Sequence, residues 1–169
     1  AAPPAGGATN GVASKSAKAT ATDPIGRLRE RKAAAMMGGG AARIQAQHDK
    51  GKYTARERID LLMNPGTFVE LDPFVRTQAT TFGMDKARFD GDGVVTGYGY
   101  VNGRIVYDYS QAFTVLGGSF GEQTATKICK VMDMDMRIGA PLLGLTDPVG
   151  ARITGGVAGE AGHGENSFC

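Results

Sequence analysis

The feature that most constrains the fold of this chain is a strand–helix–strand pattern in which each strand is followed by a glycine-bearing loop. One loop, at 117–121, precedes a helical pattern that starts at Glu122, and the other, at 147–156, follows the short apolar segment 141–146. Two parallel strands joined through a helix bring both loops to one edge of the sheet. The sequence therefore predicts an α/β fold with backbone N–H groups gathered at that edge, where an anion or a polarised carbonyl can bind.

Local signals place the remaining elements around this unit. Asp23 followed by Pro24 predicts a helix start, because Asp accepts from the first amides and Pro fits the first turn. The dipeptide at 102–103, Asn-Gly, predicts a two-residue hairpin between strands at 94–101 and 104–109. The sequence thus predicts an antiparallel pair beside the parallel unit.

Two further helices carry predicted buried faces. Thr54 and Glu57 have the spacing of a capping box, and the apolar residues that follow are predicted to face the core: Ile59, Leu61 and Leu62. In the helix from Glu122, Met132 and Met136 are interpreted as core residues at helical spacing. Arg56 and Arg58 are candidates to clamp phosphates, although charged positions on a surface helix are the commoner meaning of that pattern.

Composition excludes several functional classes. The 169 residues carry a formal net charge of +2 with 41% hydrophobic residues, so no charge excess indicates nucleic acid or an anionic membrane surface. No apolar stretch reaches the roughly 18 to 20 residues that cross a bilayer. Two cysteines and two histidines, without metal-ligand spacing, predict no metal site.

The chain divides into three predicted parts. Residues 1–22 contain no acidic residue and almost no large apolar one, which predicts a disordered or transit-like tail. Residues 23–66 are predicted to form N-terminal helices, and 67–169 the α/β domain that contains the strands. No Ser, His, Asp or Glu spacing indicates a nucleophile and its base, and a glycine pair between a strand and a helix is by itself more often a turn than a site.

Five separated motifs change that balance. In order along the chain they are 51–59, 64–70, 92–97, 110–119 and 150–153. Together they resemble the carboxyltransferase (beta) subunits of biotin-dependent acyl-CoA carboxylases, and residues 82–86 fit the propionyl-CoA carboxylase and methylmalonyl-CoA transcarboxylase branch. By resemblance, the chain is expected to be an N-terminal fragment with a partial crotonase-like (ClpP/crotonase) fold, in which residues 67–169 form a partial N-terminal carboxyltransferase domain.

The resemblance also implies a site and partners. Backbone amides would form an oxyanion hole for the thioester of a short acyl-CoA such as propionyl-CoA, the substrate. The implied oxyanion-hole residues are Val149 and Gly150, and the implied acyl-CoA-binding residues are Gly117, Gly118, Ser119, Ala151 and Arg152. Biotin would be carried by an alpha subunit rather than by this chain, and further carboxyltransferase subunits would complete the assembly.

The chain departs from the family at the predicted oxyanion hole. Where family members usually read Asp-Ser-Gly-Gly-Ala-Arg-Ile-Gln-Glu-Gly, residues 147–156 read Asp-Pro-Val-Gly-Ala-Arg-Ile-Thr-Gly-Gly. Pro148 lacks an amide donor, and Val149 is β-branched where the family has glycine. These changes, with the biotin-facing half of the site absent, predict that the chain is inactive alone. The alternative is a non-catalytic structural or accessory subunit, in the mitochondrial matrix or otherwise in the cytoplasm.

Overall fold

A computed structural model describes residues 23–79, 88–147, 150 and 152 of the chain. The predicted tail at 1–22 lies outside the described residues, as do Val149 and Ala151 of the predicted site. Within the described part, no helix is long and apolar enough to cross a membrane.

Three helices precede the sheet: α1 (Pro24–Met36), α2 (Ala41–His48) and α3 (Ala55–Leu62). The Asp23 side chain accepts a hydrogen bond from the Gly26 amide at 2.9 Å, which confirms the predicted start of α1. The capping box of α3 is confirmed as well. The Glu57 amide donates to Thr54 Oγ1 at 3.4 Å, and the Thr54 amide donates to Glu57 Oε2 at 2.7 Å.

Four strands form one sheet in the order β1 (Val69–Leu71), β2 (Val94–Val101), β3 (Arg104–Gln111) and β4 (Leu142–Leu145). The first three pair antiparallel, and the predicted Asn-Gly hairpin joins β2 to β3. β4 is parallel to β3, with Ser110 opposite Leu145. Helix α4 (Glu122–Ile138) connects these two strands. Because the parallel strands end at the same level, the loops that follow them meet at one edge.

Apolar side chains from α3 and the sheet form the largest buried cluster: Ala55, Ile59, Met63, Val95, Val106, Ala112 and Val115. Along α4, Ala125, Ile128 and Val131 are fully buried. Two predicted core positions are wrong, since Leu61 is 69% exposed and Met136 is 67% exposed. Each lies off the buried stripe of its helix. Leu61 is two residues, about 200°, beyond Ile59, and Met136 is one residue, about 100°, beyond the buried Asp135.

Candidate functional site

Helix α3 fixes the edge where β3 and β4 end. The Arg58 guanidinium donates to the Gln111 carbonyl at 2.5 Å and to the Leu145 carbonyl at 3.5 Å, which are the last residues of these strands. Arg58 is therefore directed at backbone carbonyls rather than at solvent. The Gln111 side chain extends the connection, because its Oε1 accepts from the Asp147 amide at 3.1 Å.

The loop after β3 turns through an unusual backbone. Leu116, Gly117 and Gly118 have φ values of 50°, 65° and 64°, in the left-handed region that favours glycine. A Cβ on Gly118 would lie 2.8 Å from the Asp147 carbonyl oxygen, so this glycine lets the two loops touch. Within the described part of the chain, the Gly117 amide has no hydrogen-bond acceptor.

Backbone hydrogen bonds join the two loops side by side. The Phe120 amide donates to the Gly150 carbonyl at 3.0 Å, and the Arg152 amide donates to the Phe120 carbonyl at 2.7 Å. Gly150 has a φ of 109°, and no described atom lies within 4 Å of the position a Cβ would occupy. The carbonyl of Gly150 is thus held by the neighbouring loop, while none of the described residues fills the space beside its Cα.

The Arg152 side chain lies beneath this junction and is 4% exposed. It donates to Asp92 Oδ1 at 2.5 Å, to the Asp92 carbonyl at 3.2 Å, to Ser119 Oγ at 3.2 Å and to the Ser119 carbonyl at 2.9 Å. Thr124, in the first turn of α4, donates to the Asp92 carbonyl at 2.7 Å. One guanidinium thus ties together the turn before β2, the glycine loop and the loop after β4.

Two buried ionisable groups near the sheet are perturbed by their surroundings. Lys127 donates to the carbonyls of Gly91 at 3.1 Å and Val94 at 2.6 Å, and burial lowers its pKa to about 8. Asp108, on β3, is fully buried, and its carboxyl has no hydrogen-bond partner among the described residues. Burial raises the pKa of Asp108 to about 7, although the Arg58 charge opposes that rise.

Burial also raises the pKa of Asp92, and the Arg152 guanidinium counteracts that effect. Because the pair is buried and multiply hydrogen-bonded, the carboxylate is stabilised by its partner rather than by water. Thr124 and Lys127, both on α4, donate to carbonyl oxygens of the turn that leads into β2.

A second feature lies on the outer side of the glycine loop. A pocket of about 310 Å³ is lined by residues of α2, its C-terminal turn and the loop: Arg43, Ala46, Gln47, Lys50, Phe113, Thr114, Leu116 and Gly117. The ammonium groups of Lys50 and Lys52 lie 5.8 Å and 5.6 Å from the Phe113 ring centroid. We call this the cationic pocket. Sequence reasoning missed it, although the pair of lysines flanking Gly51 was a signal for it.

The structure brings together most of the predicted site residues that it describes. Gly118 and Ser119 contact the loop that carries Gly150 and Arg152, and Gly117 faces the cationic pocket. Arg152, predicted as a ligand contact, has four internal acceptors in this structure. Among the described residues, no group of three or more His, Cys, Asp or Glu side chains is placed to hold a metal ion.

The fold corresponds to that of solved carboxyltransferases. A crystal structure of transcarboxylase 12S, a hexameric multienzyme core with methylmalonyl-coenzyme A and methylmalonic acid bound, superposes with a TM-score of 0.85 at 42% identity. The match covers 89% of this chain and 29% of the other. The fold and site define the N-terminal part of a crotonase-type carboxyltransferase domain, which confirms the predicted fold class.

The sequence comparisons identify the family. Residues 46–168 match the carboxyl transferase domain model. The chain is 55% identical over 143 residues to the propionyl-CoA carboxylase beta chain of Roseobacter denitrificans, covering 85% of this chain and 28% of that protein. It is 53% identical over 145 residues to the mitochondrial beta chain of Homo sapiens, covering 85% and 27%. The chain belongs to the carboxyl transferase domain family, of the propionyl-CoA carboxylase and transcarboxylase type, and spans less than a third of the length of these relatives.

Proposed function

We propose that the complete protein transfers a carboxyl group to the α carbon of propionyl-CoA or a similar short acyl-CoA. The observation that carries the proposal is the junction of the two glycine-bearing loops at the ends of β3 and β4, with Gly150 beside space that no described residue fills. The 55% identity to a propionyl-CoA carboxylase beta chain supports this choice of substrate.

The reaction needs a place where negative charge on the thioester oxygen is stabilised. When the α carbon loses its proton, the electron pair moves toward that oxygen, and the carbon then forms its new bond to the transferred carboxyl carbon. The carboxyl group would come from carboxybiotin carried by an alpha subunit: the bond between that carboxyl carbon and the biotin nitrogen would break as the new carbon–carbon bond forms, and the proton lost from the α carbon would end on the freed nitrogen. Amide donors aimed at the oxyanion contribute a few kcal/mol each, and we assign this role to the backbone of Gly150 and Val149.

Arg152 is assigned a positioning role within this site. Its guanidinium fixes the Ser119 and Asp92 backbones while its own amide holds Phe120. A rigid framework around the amides matters, because preorganised donors need no reorganisation as charge develops. Gly117, Gly118, Ser119 and Ala151 would line the acyl-CoA beside it.

The test is carboxylation of propionyl-CoA by the full-length protein assembled with its biotin-carrying alpha subunit. We expect the 169-residue chain alone to give no turnover, because the half of the site that receives carboxybiotin lies in the rest of the family's domain. If the full-length assembly still transfers carboxyl groups when propionyl-CoA is omitted, the proposed substrate is contradicted. Turnover by the short chain with the alpha subunit would contradict the proposed inactivity.

A second candidate is a non-catalytic structural or accessory subunit of a larger assembly. Pro148 and Val149 stand where the family has serine and glycine, and they favour this alternative. Exposed apolar side chains on α1, Ile25 at 63% and Leu28 at 54%, provide a surface for partner subunits. Analytical ultracentrifugation of the chain separates the two, since a stable monomer at micromolar concentration contradicts a subunit role.

The relatives suggest two possible cellular locations for the protein. Mammalian relatives are mitochondrial, whereas the relative from Roseobacter denitrificans is bacterial. The acid-free segment 1–22 supports a mitochondrial matrix location, with the cytoplasm as the alternative. Import of the full-length protein into isolated mitochondria, with cleavage of that segment, is the measurement that decides between them.

A further inference from the structure

Lys52 contacts both of the loops that meet at the proposed site, although it belongs to neither. Its ammonium group donates to Asp147 Oδ1 at 3.1 Å, in the loop after β4. The same group lies 5.6 Å from the centroid of the Phe113 ring, in the loop after β3, and this distance is within cation–π range. One side chain from the connection between α2 and α3 therefore joins the two loops.

The backbone on either side of Lys52 is fixed by these two helices. The Lys52 amide donates to the Gln47 carbonyl at 3.0 Å, in the last turn of α2. Thr54, two residues further on, caps α3. Because the backbone is already ordered, the side chain loses only its own rotamer freedom when it makes both contacts.

Asp147 is the residue through which Lys52 acts on the loop after β4. The Asp147 amide donates to Gln111 Oε1 at 3.1 Å. The Asp147 carbonyl oxygen lies so close to Gly118 that a Cβ there would come within 2.8 Å of it. The ion pair with Lys52 adds a contact to the side chain, so Asp147 is held at three points, three residues before Gly150.

The other end of this loop is held separately. Arg152 is anchored to Asp92 and Ser119 beneath the junction. Gly150 lies between the two ends and has no side chain to restrict its backbone, so the direction of its amide depends on where both ends are held. A misplacement of about 1 Å in a catalytic group costs on the order of a hundredfold in rate. The contact made by Lys52 therefore bears on the geometry of the proposed donor.

The same contact is expected to add little to the stability of the fold. A half-exposed ion pair between lysine and aspartate is usually a weak stabilising interaction. Lys130 and Asp72 form a second pair of this kind at 2.7 Å, with a lysine side chain that is 49% exposed, against 52% for Lys52. That pair joins α4 to the residue after β1 and touches neither loop. The two pairs thus share their chemistry and differ in their place.

We propose that Lys52 is a positioning residue of the carboxyltransferase site, which holds the loops after β3 and β4 together and so directs the Gly150 amide. This inference rests on the proposed acyl-CoA function. Lys52 acts through Asp147 on one loop and through Phe113 on the other, without touching the reacting thioester. Its loss leaves the substrate bound and the amide donor misdirected.

The first experiment measures kcat and KM for propionyl-CoA with the full-length protein assembled with its biotin-carrying alpha subunit. We expect Lys52→Gln to lower kcat about tenfold and to change KM less than about twofold, because the donor acts mainly in the transition state. Lys52→Arg should restore most of kcat, since it keeps a charge for Asp147 and a cation over the Phe113 ring. Lys130→Gln is the matched control and should behave as the wild type.

The second experiment does not require turnover. Hydrogen–deuterium exchange of the same full-length variants reports how firmly residues 147–152 are held. We expect the amides of this segment to exchange about threefold to fivefold faster in Lys52→Gln, because local opening becomes easier when the ion pair is lost. Exchange of the same segment in Lys130→Gln should equal that of the wild type.

The outcomes separate this inference from the proposed function. If either kcat or the exchange of 147–152 is unchanged in Lys52→Gln, the positioning role is wrong and the acyl-CoA function stands. A rise in KM at constant kcat also refutes it, since Lys52 would then bind substrate. An equal loss of kcat in Lys130→Gln refutes it as well. If the wild-type assembly does not carboxylate propionyl-CoA, the proposed function is refuted, and the exchange rates alone decide whether Lys52 holds the loop.

Discussion

Asp108 makes the stability of this chain depend on pH in a direction opposite to that of most paired carboxylates. The carboxyl is fully buried on β3, and neither oxygen has a hydrogen-bond partner among the described residues. Burial raises its pKa from 3.8 to about 7. A folded-state pKa above the unfolded one means that the folded state holds the proton more tightly. Stability is therefore present at low pH and is lost as pH rises through 7.

The magnitude follows from the same values. A tenfold change in an equilibrium corresponds to about 1.4 kcal/mol. Raising the pKa from 3.8 to about 7 thus costs the folded state at most about 4 kcal/mol once the carboxyl is ionised. For a domain whose total stability is on the order of 10 kcal/mol, this is a large contribution.

We expect Asp108→Asn to be more stable than the wild type at pH 8, by about 2 to 4 kcal/mol, and nearly equal to it at pH 4. The assay is urea unfolding of the chain, followed by circular dichroism at pH 4, 6 and 8. Asp133→Asn is the matched control, because Asp133 is exposed on α4. Parallel stability profiles for Asp108→Asn and the wild type across this range would refute the reasoning.

Three further predictions concern the groups that build the site. Arg152→Leu should destabilise the chain by about 3 to 5 kcal/mol, because it leaves Asp92 charged and buried without its partner. A double-mutant cycle with Asp92→Leu, measured by urea unfolding, should show strong coupling between the two residues. Additive losses of stability would contradict the buried pair. Gly118→Ala should lower the melting temperature, at a cost of about 1 to 3 kcal/mol, because the new side chain combines a φ of 64° with a Cβ 2.8 Å from the Asp147 carbonyl oxygen. Gly103→Ala is the steric control, since Gly103 also has a positive φ but no described atom lies within 4 Å of its Cβ position. Equal losses for the two variants would show that the close approach adds nothing. Lys127→Met should cost about 1 to 3 kcal/mol by leaving the Gly91 and Val94 carbonyls without their donor. Because burial lowers the pKa of Lys127 from 10.5 in the unfolded chain to about 8, wild-type stability should rise as pH rises from 8 toward 10.5, and the loss measured by urea unfolding should be larger at pH 10 than at pH 7; an equal or smaller loss at pH 10 would contradict the reasoning.

Local signals in the sequence were sufficient for the elements that depend on neighbouring residues. The Asp23 cap, the Thr54–Glu57 capping box and the Asn102–Gly103 hairpin were all predicted correctly, since each is decided within four residues. Helix faces were less predictable. Leu61 and Met136 are apolar but lie off the buried stripe, and hydrophobicity alone does not give the rotation of a helix.

The meeting of the two glycine-bearing loops was predictable from the sequence, but their contacts were not. Glycines after two parallel strands indicated where the loops meet, whereas the partners of Arg152 depend on Asp92, 60 residues away. Likewise, Arg58 reaches carbonyls that lie 53 and 87 residues further along the chain. The cationic pocket was missed for the same reason, because Lys50 and Phe113 meet only in the folded chain.

The ion pair between Asp92 and Arg152 has a consequence for the order in which the molecule assembles. The β2–β3 hairpin closes over a two-residue turn and can form within microseconds. The pair instead closes a loop of 60 residues that includes both of those strands and all of α4, so it must wait for them. The edge where the two loops meet consequently forms later than the hairpin, and a nascent polypeptide acquires it only after the second of the parallel strands has been synthesised.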